Sequence, residues 1–137
     1  VCAYDPRTKQ VANLGLLPAG RFDSPPSLEA LEVKVRSADG TMIPLSIIHA
    51  RGLKLDGSHP TRLSGYGAYA ISTDPSYAPK PLVWRERGGV YAVAHVRGGG
   101  EYGEDWHQWG RKLTKPNSWR DFIACAEYLI ARKFTSP

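Results

Sequence analysis

The sequence is poor in features that assign a chemistry at once. Only two cysteines, Cys2 and Cys125, occur in 137 residues. They lie far apart in a pattern that fits no metal motif, and they do not fix a redox compartment. No apolar run approaches membrane-spanning length, and the first residues carry no signal-peptide pattern. No membrane partner is expected, and the chain reads as soluble, cytoplasmic or periplasmic without a choice between them. A dense basic run is also missing. The 18 Lys and Arg residues are scattered among 13 Asp and Glu residues for a net charge of +5, so no nucleic-acid partner is expected. The four histidines, His49, His59, His95 and His107, have spacings that suit no metal site. Neither metal nor cofactor is expected. A GxSxG nucleophile motif and internal repeats are absent too.

What is there is ordinary in bulk. Hydrophobic content of 42% and charged content of 23% fit a globular protein of one domain's length. The informative stretch is Val90–Gly103, VYAVAHVRGGGEYG. Its apolar run reads as a buried strand through Val96. Arg97 and the glycines Gly98, Gly99 and Gly100 then end it, at the sheet edge where α/β proteins place their chemistry. Gly98, Gly100 and Gly103 also fit GxGxxG, which by itself would suggest a dinucleotide site. That reading needs an acid ending a second strand about 20 residues on. The acid nearest that distance, Asp121, opens a helical pattern instead.

Other segments predict the surroundings of this turn. Val1–Tyr4 and Gln10–Leu17 flank an Asp-Pro turn and predict a β-hairpin. Residues 18–26, with three prolines, read as a linker. Leu31, Val33 and Val35 alternate with Glu32, Lys34 and Arg36, which predicts a half-buried strand. Asp39-Gly40 is a hairpin turn, and Met42–Ile48 the returning strand, with Pro44 implying an edge or bulge. Thr61–Ser64 predicts a short strand running into GYG, and Pro81 to Arg87 a short helix. Glu104–Leu113 predicts another, broken by Lys115-Pro116-Asn117. Ser118 reads as the N-cap of the next helix, with Asp121 three residues on. The apolar stripe Trp119, Phe122, Ile123, Ala126, Leu129 and Ile130 is expected to pack on the sheet, with Cys125 a small core residue. The fold class is α/β. An antiparallel hairpin followed by βαβα is how an α/β-hydrolase sheet begins.

The segments GLKLDGSHPTRLSGYGAYAIS, WRERGGVYAVAHVRGGGEYGEDWH and RDFIACAEYLIARKFTSP resemble the prolyl oligopeptidase family of serine peptidases. The resemblance covers residues 29–137 strongly and the first 28 weakly. It implies a β-propeller joined to an α/β-hydrolase domain. Residues 1–27 would then be the end of the propeller and a linker, and residues 28–137 the first, incomplete part of the peptidase domain. A start without Met and an end just after a helix fit a piece of a longer protein. The implied function is a serine-type oligopeptidase hydrolysing short peptides on the carboxyl side of proline.

The resemblance also implies site residues. Tyr66, in GYG, would donate its hydroxyl to the oxyanion of acyl transfer, and Tyr69 would line the substrate pocket. Arg97, Gly98, Gly99, Gly100 and Gly103 would form a supporting turn, with Arg97 and Glu101 in structural ion pairs. Ser64, Ala68, Ala70 and Trp109 depart from the usual family residues, which bears on fine specificity. The Ser, Asp and His of the triad would lie beyond residue 137, so the chain alone is expected to be inactive. Its partners would be a peptide substrate and the rest of its own catalytic domain and propeller. Two alternatives stand beside this reading: a peptidase of the same superfamily with other specificity, and a non-catalytic module, for example one binding a dinucleotide.

Overall fold

The structure is a computed structural model, and it describes residues 2–16, 26–74, 83–85 and 87–137. Strands β1 (Cys2–Asp5) and β2 (Gln10–Asn13) form an antiparallel hairpin and a two-stranded sheet. Asp5 helps close the turn by accepting the Arg7 N–H at 2.8 Å. The linker predicted at residues 18–26 lies outside the described residues except for Pro26.

The second sheet holds β3 (Leu28–Arg36), β4 (Met42–Ala50), β5 (Thr61–Gly65) and β6 (Val90–Ala94), in the order β3-β4-β6-β5. The β3–β4 pair is the antiparallel hairpin the sequence predicts, β4 and β6 are also antiparallel, and β5 and β6 are parallel. In the crossover between β5 and β6, residues 75–82 and 86 lie outside the described residues; of the helix predicted over 81–87, residues 83–85 are helical. Strand β6 ends at Ala94, two residues short of the predicted Val96.

Period-two alternation builds the core. Val33 and Val35, Ile43, Leu45 and Ile47, Leu63, and Val90, Ala92 and Ala94 fall on one face of the sheet. Helix α1 is Glu104–Gln108, followed by a 3-10 turn at Lys112–Thr114. Helix α2, Pro116–Ala131, covers the core face with Cys125 and Leu129, both almost wholly buried. Full burial of a leucine side chain contributes about 1.5–3 kcal/mol. The helix ends in a Schellman arrangement. Lys133 takes a left-handed φ of 60°, and the Phe134 N–H donates to the Leu129 carbonyl at 3.0 Å.

Three sequence expectations are corrected here. Pro44 is not on an edge strand, because β4 pairs on both sides. In an antiparallel strand, a residue's N and C=O point to the same neighbour. The Pro44 carbonyl accepts from His95 N–H, just past the last residue of β6, so its missing N–H falls where that strand has ended. Nor is Ser118 an N-cap. The helix starts at Pro116 with Lys115 at the cap, a proline at the first turn where its missing donor costs nothing. Finally, the apolar stripe is displaced. Trp119, Ile123 and Ile130 are exposed, while Ser118 and Asp121 are buried beside Cys125 and Leu129.

The buried Cys125 thiol has its pKa pushed up to about 12 from a usual 9.0, chiefly by burial and secondarily by the Asp121 carboxylate. The unfolded chain therefore loses this proton first as pH rises. The contribution of the neutral thiol to stability is complete below pH 9.0 and is lost as pH rises toward about 12. Brief iodoacetamide treatment at pH 8 should modify exposed Cys2 and spare Cys125 until denaturant is added, as read by mass spectrometry. Equal labelling of both in the native protein would contradict this packing.

Candidate functional site

The carboxyl ends of β5 and β6 lie side by side, and two loops leave from them. The loop after β6 turns at Arg97–Gly100. Gly98 has φ of 100°, and a Cβ there would overlap the Gly67 and Gly110 carbonyl oxygens. At Gly100 a Cβ would overlap the Ala70 carbonyl oxygen. This turn therefore packs backbone to backbone against the loop that follows β5, and side chains at either position would force the loops apart. Gly103 precedes α1 with φ of 83°.

Arg97 fixes the turn to the rest of the fold. Its side chain is 4% exposed and forms a two-pronged pair with fully buried Asp121, Nε to Oδ2 at 2.8 Å and Nη2 to Oδ1 at 2.6 Å. Its backbone N–H also donates to Oδ2, at 3.1 Å, and the Ser37 hydroxyl donates to Oδ1 at 2.7 Å. All four acceptor sites of the carboxylate are thus occupied. The remaining guanidinium nitrogen reaches Asp39 at 2.5 Å. That hydrogen bond holds the Asp39 carboxyl well below its usual range, while the two carboxylates, Asp121 foremost, raise the Arg97 pKa. Ser118 donates to the Arg97 carbonyl at 2.5 Å, which explains why a hydroxyl is buried inside α2.

The GxGxxG reading fails on this geometry. Helix α1 has five residues and opens with Glu104 and Asp105, which repel a phosphate. Asp121 is consumed by Arg97 rather than placed for a ribose. Among the described residues, no group of three or more His, Cys, Asp or Glu is arranged to hold a metal ion. Each histidine has a structural bond. His49 Nδ1 pairs with the Ala50 carbonyl, and His59 bridges the Gly88 and Lys54 carbonyls. His95 pairs with Ser46, and His107 Nδ1 lies 2.8 Å from the Gly98 carbonyl. No helix among the described residues is long and apolar enough to cross a membrane.

The loop after β5 carries both tyrosines singled out in the sequence. Tyr66 is 51% exposed, and its hydroxyl has no bonding partner among the described residues. It lines a cavity of about 280 Å³ with Gly65, Val96, Lys115, Ser118, Trp119 and Phe122. Tyr69 is 80% exposed, in a left-handed conformation, and borders a second cavity of about 380 Å³ with His107 and Lys115. Tyr66 and Tyr69 thus share a loop but open onto different cavities, and Lys115 lines both. Its ammonium donates to the Gly67 carbonyl at 2.5 Å. Lys115 was not a candidate in the sequence, where Lys115-Pro116-Asn117 reads as a helix breaker. The available signal was Pro116 as a first-turn proline, which makes Lys115 a cap at the head of α2.

The edge of β5 away from β6 is unpaired among the described residues. Among the described residues, an unbonded phenol, a cation and an unpaired strand edge therefore meet at the carboxyl end of the sheet. Such a site can donate a hydrogen bond to negative charge developing on an oxygen.

Comparison with known proteins agrees with the sequence resemblance. Residues 75–137 match the profile of the prolyl oligopeptidase family. The chain is 45% identical over 113 residues to a prolyl endopeptidase of Elizabethkingia meningoseptica, covering 82% of this chain and 16% of that protein. It superposes with a TM-score of 0.82 and 38% identity on prolyl oligopeptidase B from Galerina marginata, solved as a D661A mutant bound to a 25mer macrocyclization substrate, over 98% of this chain and 19% of the other. Oligopeptidase B from Leishmania major gives a TM-score of 0.81 and 34% identity over 99% of this chain and 19% of the other. The chain thus spans less than a fifth of the length of each of these proteins. Motifs, sheet and comparisons converge: the chain belongs to the prolyl oligopeptidase family.

Proposed function

We propose that this chain is part of a serine-type oligopeptidase that hydrolyses short peptides on the carboxyl side of proline. Residues 28–137 supply the opening strands of an α/β-hydrolase peptidase domain, and residues 1–27 the end of a β-propeller and a linker. Tyr66 donates its hydroxyl to the oxyanion of the tetrahedral intermediate, and Tyr69 lines the substrate pocket. The observation that carries this reading is the half-exposed phenol of Tyr66 at the carboxyl end of β5, unbonded among the described residues. It stands beside a strand edge that is unpaired among the described residues. Lys115, lining the same cavity, adds positive charge where negative charge would develop.

The nucleophile and its base come from elsewhere in the parent protein. The chain has no GxSxG, and the structural bonds of its four histidines leave none beside a nucleophile positioned for acyl transfer. The full-length parent should cleave a proline-containing chromogenic peptide and lose that activity to a serine-directed fluorophosphonate, while residues 1–137 alone cleave nothing. A parent that leaves the proline peptide intact but cuts one with arginine in its place would redirect the specificity. A parent that cuts neither would sink the peptidase reading.

A further inference from the structure

The loop that carries Tyr66 and Tyr69 is strained. Tyr69 and Ala70 have φ of 55° and 53°, two consecutive residues with side chains in the left-handed region. Such residues visit this region as isolated cases, and they hold it only where the surroundings over-determine it. The turn's own hydrogen bond, Ile71 N–H to the Ala68 carbonyl at 3.1 Å, does not supply that constraint alone. The turn is gripped from outside at both ends. On one side the Ala70 N–H donates to the Gly98 carbonyl at 3.3 Å, an oxygen that His107 Nδ1 also holds at 2.8 Å. On the other, the Thr73 N–H donates to Glu101 Oε1 at 3.0 Å.

Glu101 is itself held from behind. His95 Nδ1 lies 3.7 Å from Glu101 Oε1, beyond hydrogen-bond distance, and His95 Nε2 is 2.8 Å from the Ser46 hydroxyl. Ser46 sits in β4, paired to Glu32 on one side and Val93 on the other. The chain of contacts therefore runs from the central strand through His95 and Glu101 to the backbone of the tyrosine loop. Burial alone raises the Glu101 pKa, but His95 and the backbone N–H groups outweigh it and hold the carboxyl below its usual range. The order Ser46, His95, Glu101 imitates a hydrolytic triad. It lacks triad geometry, because no His95–Glu101 hydrogen bond orients the imidazole and Ser46 is buried in a strand paired on both sides.

We propose that Glu101, backed by His95, is a positioning residue that clamps the strained Tyr69–Ala70 turn and so sets how Tyr66 and Tyr69 face a substrate. The consequence for substrate rests on the peptidase reading; the clamp itself does not. Two measurements keep them apart. In the full-length parent, hydrogen–deuterium exchange of the segment 66–74 reads the clamp without any activity. Glu101→Ala should speed exchange there by about tenfold or more, since bonds to charged acceptors are the strong ones. Ala70→Gly, placed in that background, removes part of the left-handed penalty and should restore much of the protection. A side chain that merely fills space would show no such rescue.

Glu101→Gln covers the case in which the alanine variant does not fold. It keeps a near-identical shape and a neutral acceptor, and it should speed exchange severalfold through loss of the charge-assisted bond. Unchanged exchange over 66–74 in the variants that fold, or no rescue by Ala70→Gly, would overturn the clamp. For the substrate, Glu101→Ala should raise KM for a proline peptide more than it lowers kcat. A wild-type parent without peptidase activity would remove the substrate reading and leave the exchange result to decide the clamp.

Discussion

Tyr66→Phe in the full-length parent is expected to lower kcat by about 100- to 1,000-fold, or about 2.7–4 kcal/mol, with KM nearly unchanged. The change deletes one oxygen and keeps the ring. No described residue bonds that hydroxyl, so its removal leaves no partner stranded in the fold. The ring continues to line the cavity with Trp119 and Phe122. Ground-state binding and folding should therefore survive. The hydroxyl matters as charge builds on the substrate oxygen, so its loss falls on the chemical step. Single-turnover kinetics on a proline-containing peptide isolates that step from product release. A rate within about threefold of wild type, well short of the usual effect of one such donor, would remove Tyr66 from the oxyanion site. A raised KM with kcat intact would assign it to packing.

Asp121→Ala is expected to destabilise the fold by about 3–5 kcal/mol, because it strands a buried charge. The Asp121 side chain is fully buried and that of Arg97 is 4% exposed. Without the carboxylate, the Arg97 side chain keeps only Asp39 and Thr41 at one guanidinium nitrogen. The Ser37 hydroxyl and the Arg97 backbone N–H lose their acceptor as well. Replacing both partners, Arg97→Met with Asp121→Leu, should recover much of the loss, since buried ion pairs are often no better than well-packed apolar residues. Amide exchange of β6 and α2 in the parent protein reads both variants as local opening free energies. A single mutant within about 1 kcal/mol of wild type would mean that water reaches the pair, far below the cost of a stranded buried charge. A double mutant no better than the single would mean that the pair also specifies the geometry of the turn.

Much of the fold was written locally. Alternation over Leu31–Arg36 produced β3, and the dense apolar run of Val90–Ala94 produced β6, buried on both faces. Asp39-Gly40 made the β3–β4 turn with Gly40 at φ of 89°. Tyr66 was legible as a site candidate because it stands between two glycines, directly after a strand, in a motif that resembles a family pattern. Each of these depends on residues adjacent in the chain, where period and propensity act.

The tertiary structure alone decided where buried polar groups find partners. Asp121 looked like a helix-start acid, and only the approach of Arg97, 24 residues away, made it a core residue. Ser118 likewise looked like a cap, until the Arg97 carbonyl took its hydroxyl. These two polar side chains took the buried face of α2 and turned Trp119 and Ile123 outward, which no count of apolar spacing can foresee. Pro44 is tolerated in a central strand because β6 ends opposite it. The strain at Tyr69 and Ala70 is invisible in their identities; it comes from Glu101 and the Gly98 turn gripping the loop across nearly 30 residues, as in the 28-residue separation of Thr73 and Glu101. Hydrophobic periodicity reports which face is apolar, whereas the partner of a buried charge is fixed by long-range packing, and in this chain the long-range partners build the ground on which Tyr66 stands.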